Sequence, residues 1–160
     1  ELEAIQITQG LGNQIDPFSL TAEGALNLLV PRSMAIDADG DGKFMIGASQ
    51  TIVFPPGNAP QAVKDAWEKT TQGIDSEVQL HLQLWLGSAG ADNSVYATGG
   101  DSSAGSTDWS DYSVYRDLVE QAVDGAERNL RNAPSEQRAF RAEMLAGLKA
   151  FQLNLSNFTD

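Results

Sequence analysis

From Val78 to Leu86 the chain alternates strictly: Val78, Leu80, Leu82, Leu84 and Leu86 take turns with Gln79, His81, Gln83 and Trp85. Successive side chains of a strand point to opposite faces, so this period of two predicts a strand over 77–86 with one apolar and one mixed face. "EAIQIT" alternates in the same way and predicts a short N-terminal strand with Ile5 and Ile7 on one face. "KFMIGASQTIVF" is rich in β-branched and aromatic residues and is closed by "FPPG", which predicts a further strand.

Helical spacing appears elsewhere. Thr21 is placed to cap a short helix over "AEGALNLLV", with Leu26, Leu29 and Val30 as its buried side and Pro31 as its end. Asn58 and Pro60 open a second helix, in which Val63 and Trp67 share a face, and Gly73 closes it. Thr107 or Asp108 opens a long third helix with Asp111 in its first turn, where a carboxylate suits the helix dipole. Its apolar stripe is Tyr115, Leu118, Val119, Ala122, Ala126 and Leu130. "NAPSE" breaks the pattern, Ser135 caps a fourth helix, and Phe140, Met144, Leu148 and Phe151 face inward from it. The stretch 87–107 is dense in Gly, Ser, Ala and Asp and reads as a long, flexible loop.

These elements predict one α+β domain over 1–160. A small antiparallel sheet, built from the sheet-rich region 1–86 and including the 77–86 strand, packs against a C-terminal antiparallel helix pair, 108–160. A length of 160 residues suits one core rather than two.

Charge removes several classes of partner. With 22 acidic against 10 basic residues, a net −12, the surface repels nucleic acid and anionic bilayers, whose binding relies on Lys and Arg. No apolar run approaches the ~20 residues that a membrane-spanning helix needs. There is no cysteine and a single histidine, His81, which excludes thiolate chemistry, disulfides and Cys- or His-rich metal sites. The first residue is Glu1 rather than Met, which suits a trimmed chain or a processed precursor and favours an exported protein with an extracellular or periplasmic location.

One segment announces a chemistry. In "DADGDGKFMIGA", residues 37–48, Asp37, Asp39 and Asp41 alternate, Gly42 supplies a sharp turn, Lys43 offers its backbone carbonyl and Phe44 anchors the loop to the core. Calcium takes six to eight oxygens at about 2.3–2.6 Å, and alternate acids on a turning chain direct several carboxylates at one point. Over these dozen residues the stretch resembles the DxDxDG calcium loops of EF-hand proteins, dockerins, thrombospondin-type repeats and integrin-type domains. The resemblance implies calcium as the bound ion, with Asp37, Asp39, Asp41 and Lys43 as ligands. It departs from the EF-hand at its twelfth position, where Ala48 stands in place of the bidentate acid, and the exit reads as strand rather than helix. The missing oxygen must come from water or from a remote acid, for which Asp16, Glu23, Glu68 and Asp75 are candidates. Such a site binds weakly, at ~10⁻⁴ to 10⁻³ M, as extracellular modules do. The competing reading is an acidic turn, since Asp and Gly also dominate turns.

Other candidates carry less. His81 is a candidate general base but has no recognisable nucleophile or orienting partner in sequence, so an ordinary strand residue is the preferred reading. Trp85, Trp109 and Tyr112 would form a platform for a protein or glycan partner if they met on the surface; covering the sheet is the commoner role of such aromatics. Asn154 and Asn157 match glycan acceptor sequons by coincidence of spacing. The function expected is therefore that of a calcium-binding exported module, a binding or structural subunit of a cell-surface or extracellular assembly. Enzymatic activity stays open, as a secreted hydrolase using carboxylates with calcium as a structural ion. A calcium sensor fits less well, because the strand-like exit lacks the second helix of a bistable pair.

Overall fold

The computed structural model describes residues 5, 7, 15–39, 44–89 and 108–157. Thr21 caps helix α1 (Ala22–Asn27), its hydroxyl accepting the Gly24 N–H at 2.9 Å, and a 3-10 turn follows at Arg32–Met34. Strands β1 (Phe44–Ile46) and β2 (Ser49–Thr51) form an antiparallel hairpin in the register Phe44 to Thr51, Met45 to Gln50 and Ile46 to Ser49. The expected single strand over this segment is thus a tight hairpin. Gly47 adopts φ 63° while no described non-glycine residue has positive φ, the pattern of a type II′ turn, which matches the twist of the two strands.

Helices α2 (Gln61–Thr71), α3 (Ser76–Ala89), α4 (Tyr112–Arg131) and α5 (Ser135–Asn157) complete the chain. Pro60 caps α2, whose buried side carries Val63 and Trp67 as expected, with Ala66 and Thr70. Asp111 caps α4, its carboxylate accepting the Ser113 N–H at 2.8 Å, a few residues later than the sequence suggests. The last two helices form the antiparallel pair: the Tyr112 hydroxyl at the start of α4 donates to the Leu155 carbonyl near the end of α5 at 2.7 Å. Lys149 of α5 meets Glu127 of α4 at 2.8 Å, and this contact holds the Glu127 carboxyl below its usual range. Helix α5 also packs on α2 and α3, while α1 packs on β1. The architecture is α+β, a small antiparallel sheet with a C-terminal antiparallel helix pair. No helix among the described residues is long and apolar enough to cross a membrane.

Three expectations are corrected. The 77–86 segment is helix α3, not a strand, and so adds nothing to the sheet. Its alternation is carried by Leu, a strong helix former, with Gln79, His81, Gln83 and Trp85 between, and Val78 is its one β-branched residue. Asp75 starts it by accepting the Glu77 N–H at 2.8 Å. Every second alternation step is also a helical i, i+4 step, so Val78, Leu82 and Leu86 are buried, while Leu80 turns outward at 52% exposure. Residues 87–89 accordingly continue α3 and do not belong to a loop; 90–107 lie outside the described residues.

The second correction concerns Ile5 and Ile7, which are helical; Ile5 packs on the core and Ile7 is exposed, as residues two apart in a helix must diverge. The third concerns α1, whose buried side is polar. Glu23 and Asn27 point inward, and Leu26 and Leu29 are 43% and 76% exposed.

The core centres on Phe54. Its ring meets Trp67 at 5.1 Å, Phe151 at 5.8 Å, Tyr115 at 6.0 Å and Trp109 at 6.5 Å between centroids, and the first two contacts are edge-to-face. Phe44 of β1 joins through Trp109 at 6.0 Å, which ties the hairpin to the helices. A buried polar chain crosses the same core: the Asn154 amide donates to the Thr70 hydroxyl at 2.9 Å, which donates to the Ala66 carbonyl at 2.7 Å. Asn154 is thereby withdrawn from any glycan.

Candidate metal centre

Glu23 and Asn27 lie one turn apart on α1 and carry the local architecture. The two oxygens of Glu23 accept the Ala38 N–H and the Met45 N–H, both at 2.7 Å. The Asn27 amide donates to the Ile36 and Met45 carbonyls at 2.9 Å each and accepts the Ile36 N–H at 3.0 Å. Two side chains thus satisfy five backbone groups on both sides of the acidic segment, which explains why a polar helix face is turned inward. The helix approaches closely enough for the Gly47 N–H to donate to the Gly24 carbonyl at 2.9 Å. A Cβ on Gly24 would stand 2.0 Å from the Gly47 oxygen, so only glycine fits there.

This bracing gathers three carboxylates. Carboxylate oxygens of Glu23, Asp37 and Asp39 all lie within 4.8 Å of one another, with Glu23 and Asp37 buried and Asp39 exposed. Two oxygens each about 2.4 Å from one calcium ion are at most about 4.8 Å apart, so the cluster has the span of a single coordination shell. Each Glu23 oxygen has a lone pair beyond the one facing its backbone N–H. Gathering three like charges, two of them shielded from water, is unfavourable without a counter-charge.

Of the expected ligands, Asp37 and Asp39 are brought together, whereas Asp41 and Lys43 lie outside the described residues, as does Gly42. Among the remote acids considered, Glu23 is the one in the cluster. Asp16 binds the Phe18 N–H, Asp75 starts α3, and Glu68 is exposed on α2. Ala48, the twelfth loop position, sits in the hairpin turn. Sequence reasoning misses Asn27; an Asn one helical turn after Glu23 is the signal available for it.

The aromatic platform does not form. Trp109 is 1% exposed in the core, so it offers no partner surface. Tyr112 is half-buried, its hydroxyl spanning to α5. Trp85 lies apart from both, half-buried on α3 against Gly125 of α4, beside a cavity between α3, α4 and α5. His81 is on the exposed side of α3. Its Nδ1 lies 2.8 Å from the Glu77 carbonyl, which only accepts, so Nδ1 carries the proton, and its ring edge meets Phe140 at 5.0 Å. Compared with family models, curated proteins and solved structures, the chain has no match.

Proposed function

We propose that the protein is a calcium-binding exported module in which one ion pins the acidic segment to helix α1 and the hairpin. The observation that carries this reading is the Glu23, Asp37 and Asp39 cluster, which has the span of one calcium shell and draws an acid from outside the loop. Glu23 takes the place of the acid missing at Ala48, reaching in from the helix before the loop rather than from one after it. The role is structural: the ion offsets the repulsion of the carboxylates and fixes a turn between two core elements. Partial ligation and weak affinity suit a compartment rich in calcium, which favours a place outside the cell and work as a subunit that binds a protein or glycan.

The test is a thermal melt of metal-stripped protein in EGTA, in millimolar calcium and in millimolar magnesium, repeated on Asp39→Ala. A ligand that binds only the folded state raises Tm by mass action, by an amount set by RT ln(1 + [L]/Kd). A calcium-dependent rise that Asp39→Ala abolishes supports the site. No rise in the unsubstituted protein returns the segment to an acidic turn.

A further inference from the structure

Helices α3, α4 and α5 border a half-open cavity of about 430 Å³, remote in sequence from the acidic segment and within the ~300–1,000 Å³ range of small-molecule sites. Its walls are mainly apolar and include the aromatic rings of Trp85 and Phe140 and the adaptable side chain of Met144, with His81 and Asn129 among the polar members. Arg141 is the only guanidinium or ammonium among its lining residues. Its Nε and Nη2 donate to the Gln137 Oε1 at 3.3 and 2.7 Å, which orients the guanidinium through a neutral partner. Arg141 is half-buried and makes no ion pair among the described residues, although the chain carries 22 acidic side chains. Of its five N–H groups, two are engaged by Gln137 and the rest can meet a carboxylate in the bidentate geometry that a guanidinium favours.

We propose that this cavity binds a small amphipathic carboxylic acid, an aromatic or branched body between Trp85, Phe140 and Met144 with its carboxylate on Arg141. Charge complementarity selects the acid over its neutral counterparts. Glu136, exposed at the same cavity and accepting a hydrogen bond from the Ser135 hydroxyl at 3.2 Å, repels an anion placed beside it and leaves Arg141 as the end that takes the charge. The cavity volume favours a free small acid over a peptide chain.

The probes are 4-phenylbutyrate and its neutral amide, titrated to millimolar concentration, the range expected of ligands this small. Binding is followed by calorimetry and by the indole N–H signal of Trp85 in nitrogen-15 NMR spectra. The expected result is a saturable shift of the Trp85 signal with the acid and an affinity for the amide at least about tenfold weaker, as loss of charge-assisted hydrogen bonds implies. Arg141→Gln should bring the acid down to the level of the amide and leave the amide unchanged. No Trp85 shift with the acid, or equal affinity for acid and amide, overturns the proposal without recourse to any variant. Undiminished acid binding by folded Arg141→Gln overturns it as well.

Discussion

The Glu23 Oε1 accepts the Met45 N–H at 2.7 Å across 22 residues of chain, so a helix carboxylate holds the first hairpin strand in place. Its other oxygen holds the Ala38 N–H. Removing this acceptor strands two donors, each costing about 1–3 kcal/mol where water cannot reach. Glu23→Ala should therefore lower stability by about 2–4 kcal/mol in EGTA, measured by urea denaturation, as well as abolish any calcium response. A loss under about 0.5 kcal/mol would mean that these hydrogen bonds do not brace the fold.

Gly24→Ala inverts the ordinary rule for helices. Alanine normally stabilises a helix interior by about 1 kcal/mol over glycine. Here its Cβ meets the Gly47 oxygen at 2.0 Å, and backbone on backbone has no flexible end to yield. The variant should lose about 1–3 kcal/mol, and amide exchange at Gly47 should accelerate as its hydrogen bond to Gly24 opens. A stabilised variant would show that the helix and hairpin are further apart.

The helical reading of α3 separates two leucines that a strand would treat alike. Leu82 is buried and Leu80 half out in solvent. Leu82→Ala should cost about 2–5 kcal/mol and Leu80→Ala less than about 1 kcal/mol. Equal losses, read from chemical denaturation, would restore the strand.

Tyr115 sets an alkaline limit. Its hydroxyl donates to the Trp109 carbonyl at 2.8 Å, and burial, with a smaller push from Asp108, raises its pKa above the usual tyrosine range. In the unfolded chain the phenol ionises near its ordinary value of about 10, so folding loses free energy progressively above that pH, while below it the contribution is fully present. Stability should fall from about pH 10 upward, and Tyr115→Phe should flatten that decline. The variant should cost about 1–2 kcal/mol at neutral pH because the Trp109 carbonyl loses its donor. An unchanged alkaline limb in Tyr115→Phe would assign the decline to other groups.

Legibility follows the length of the pattern. The stripe of α4, with Tyr115, Val119, Ala122 and Ala126 buried, repeats over several turns and can be read without a partner in view. Thr21, Pro60 and the residue types at the helix starts report local backbone chemistry and are readable for the same reason. The alternation at 78–86 is ambiguous because a spacing of four belongs to both periods, so it needs the weight of Leu and Gln propensity to decide it. Asp37 and Asp39 can be singled out by spacing, but their third companion cannot.

By itself the sequence determined an acidic chain without cysteine, a C-terminal helix pair, and the position of the carboxylate-rich segment, because each follows from residue type or from short-range periodicity. Tertiary structure alone decided that α1 buries Glu23 and Asn27 rather than Leu26 and Leu29. Backbone groups at Ile36, Ala38 and Met45, distant along the chain, supply the hydrogen bonds that make a polar face the favourable one to bury. Packing likewise chose Glu23 from four remote acids and set Arg141 beside Trp85, since contacts between elements far apart along the chain leave no trace in local spacing.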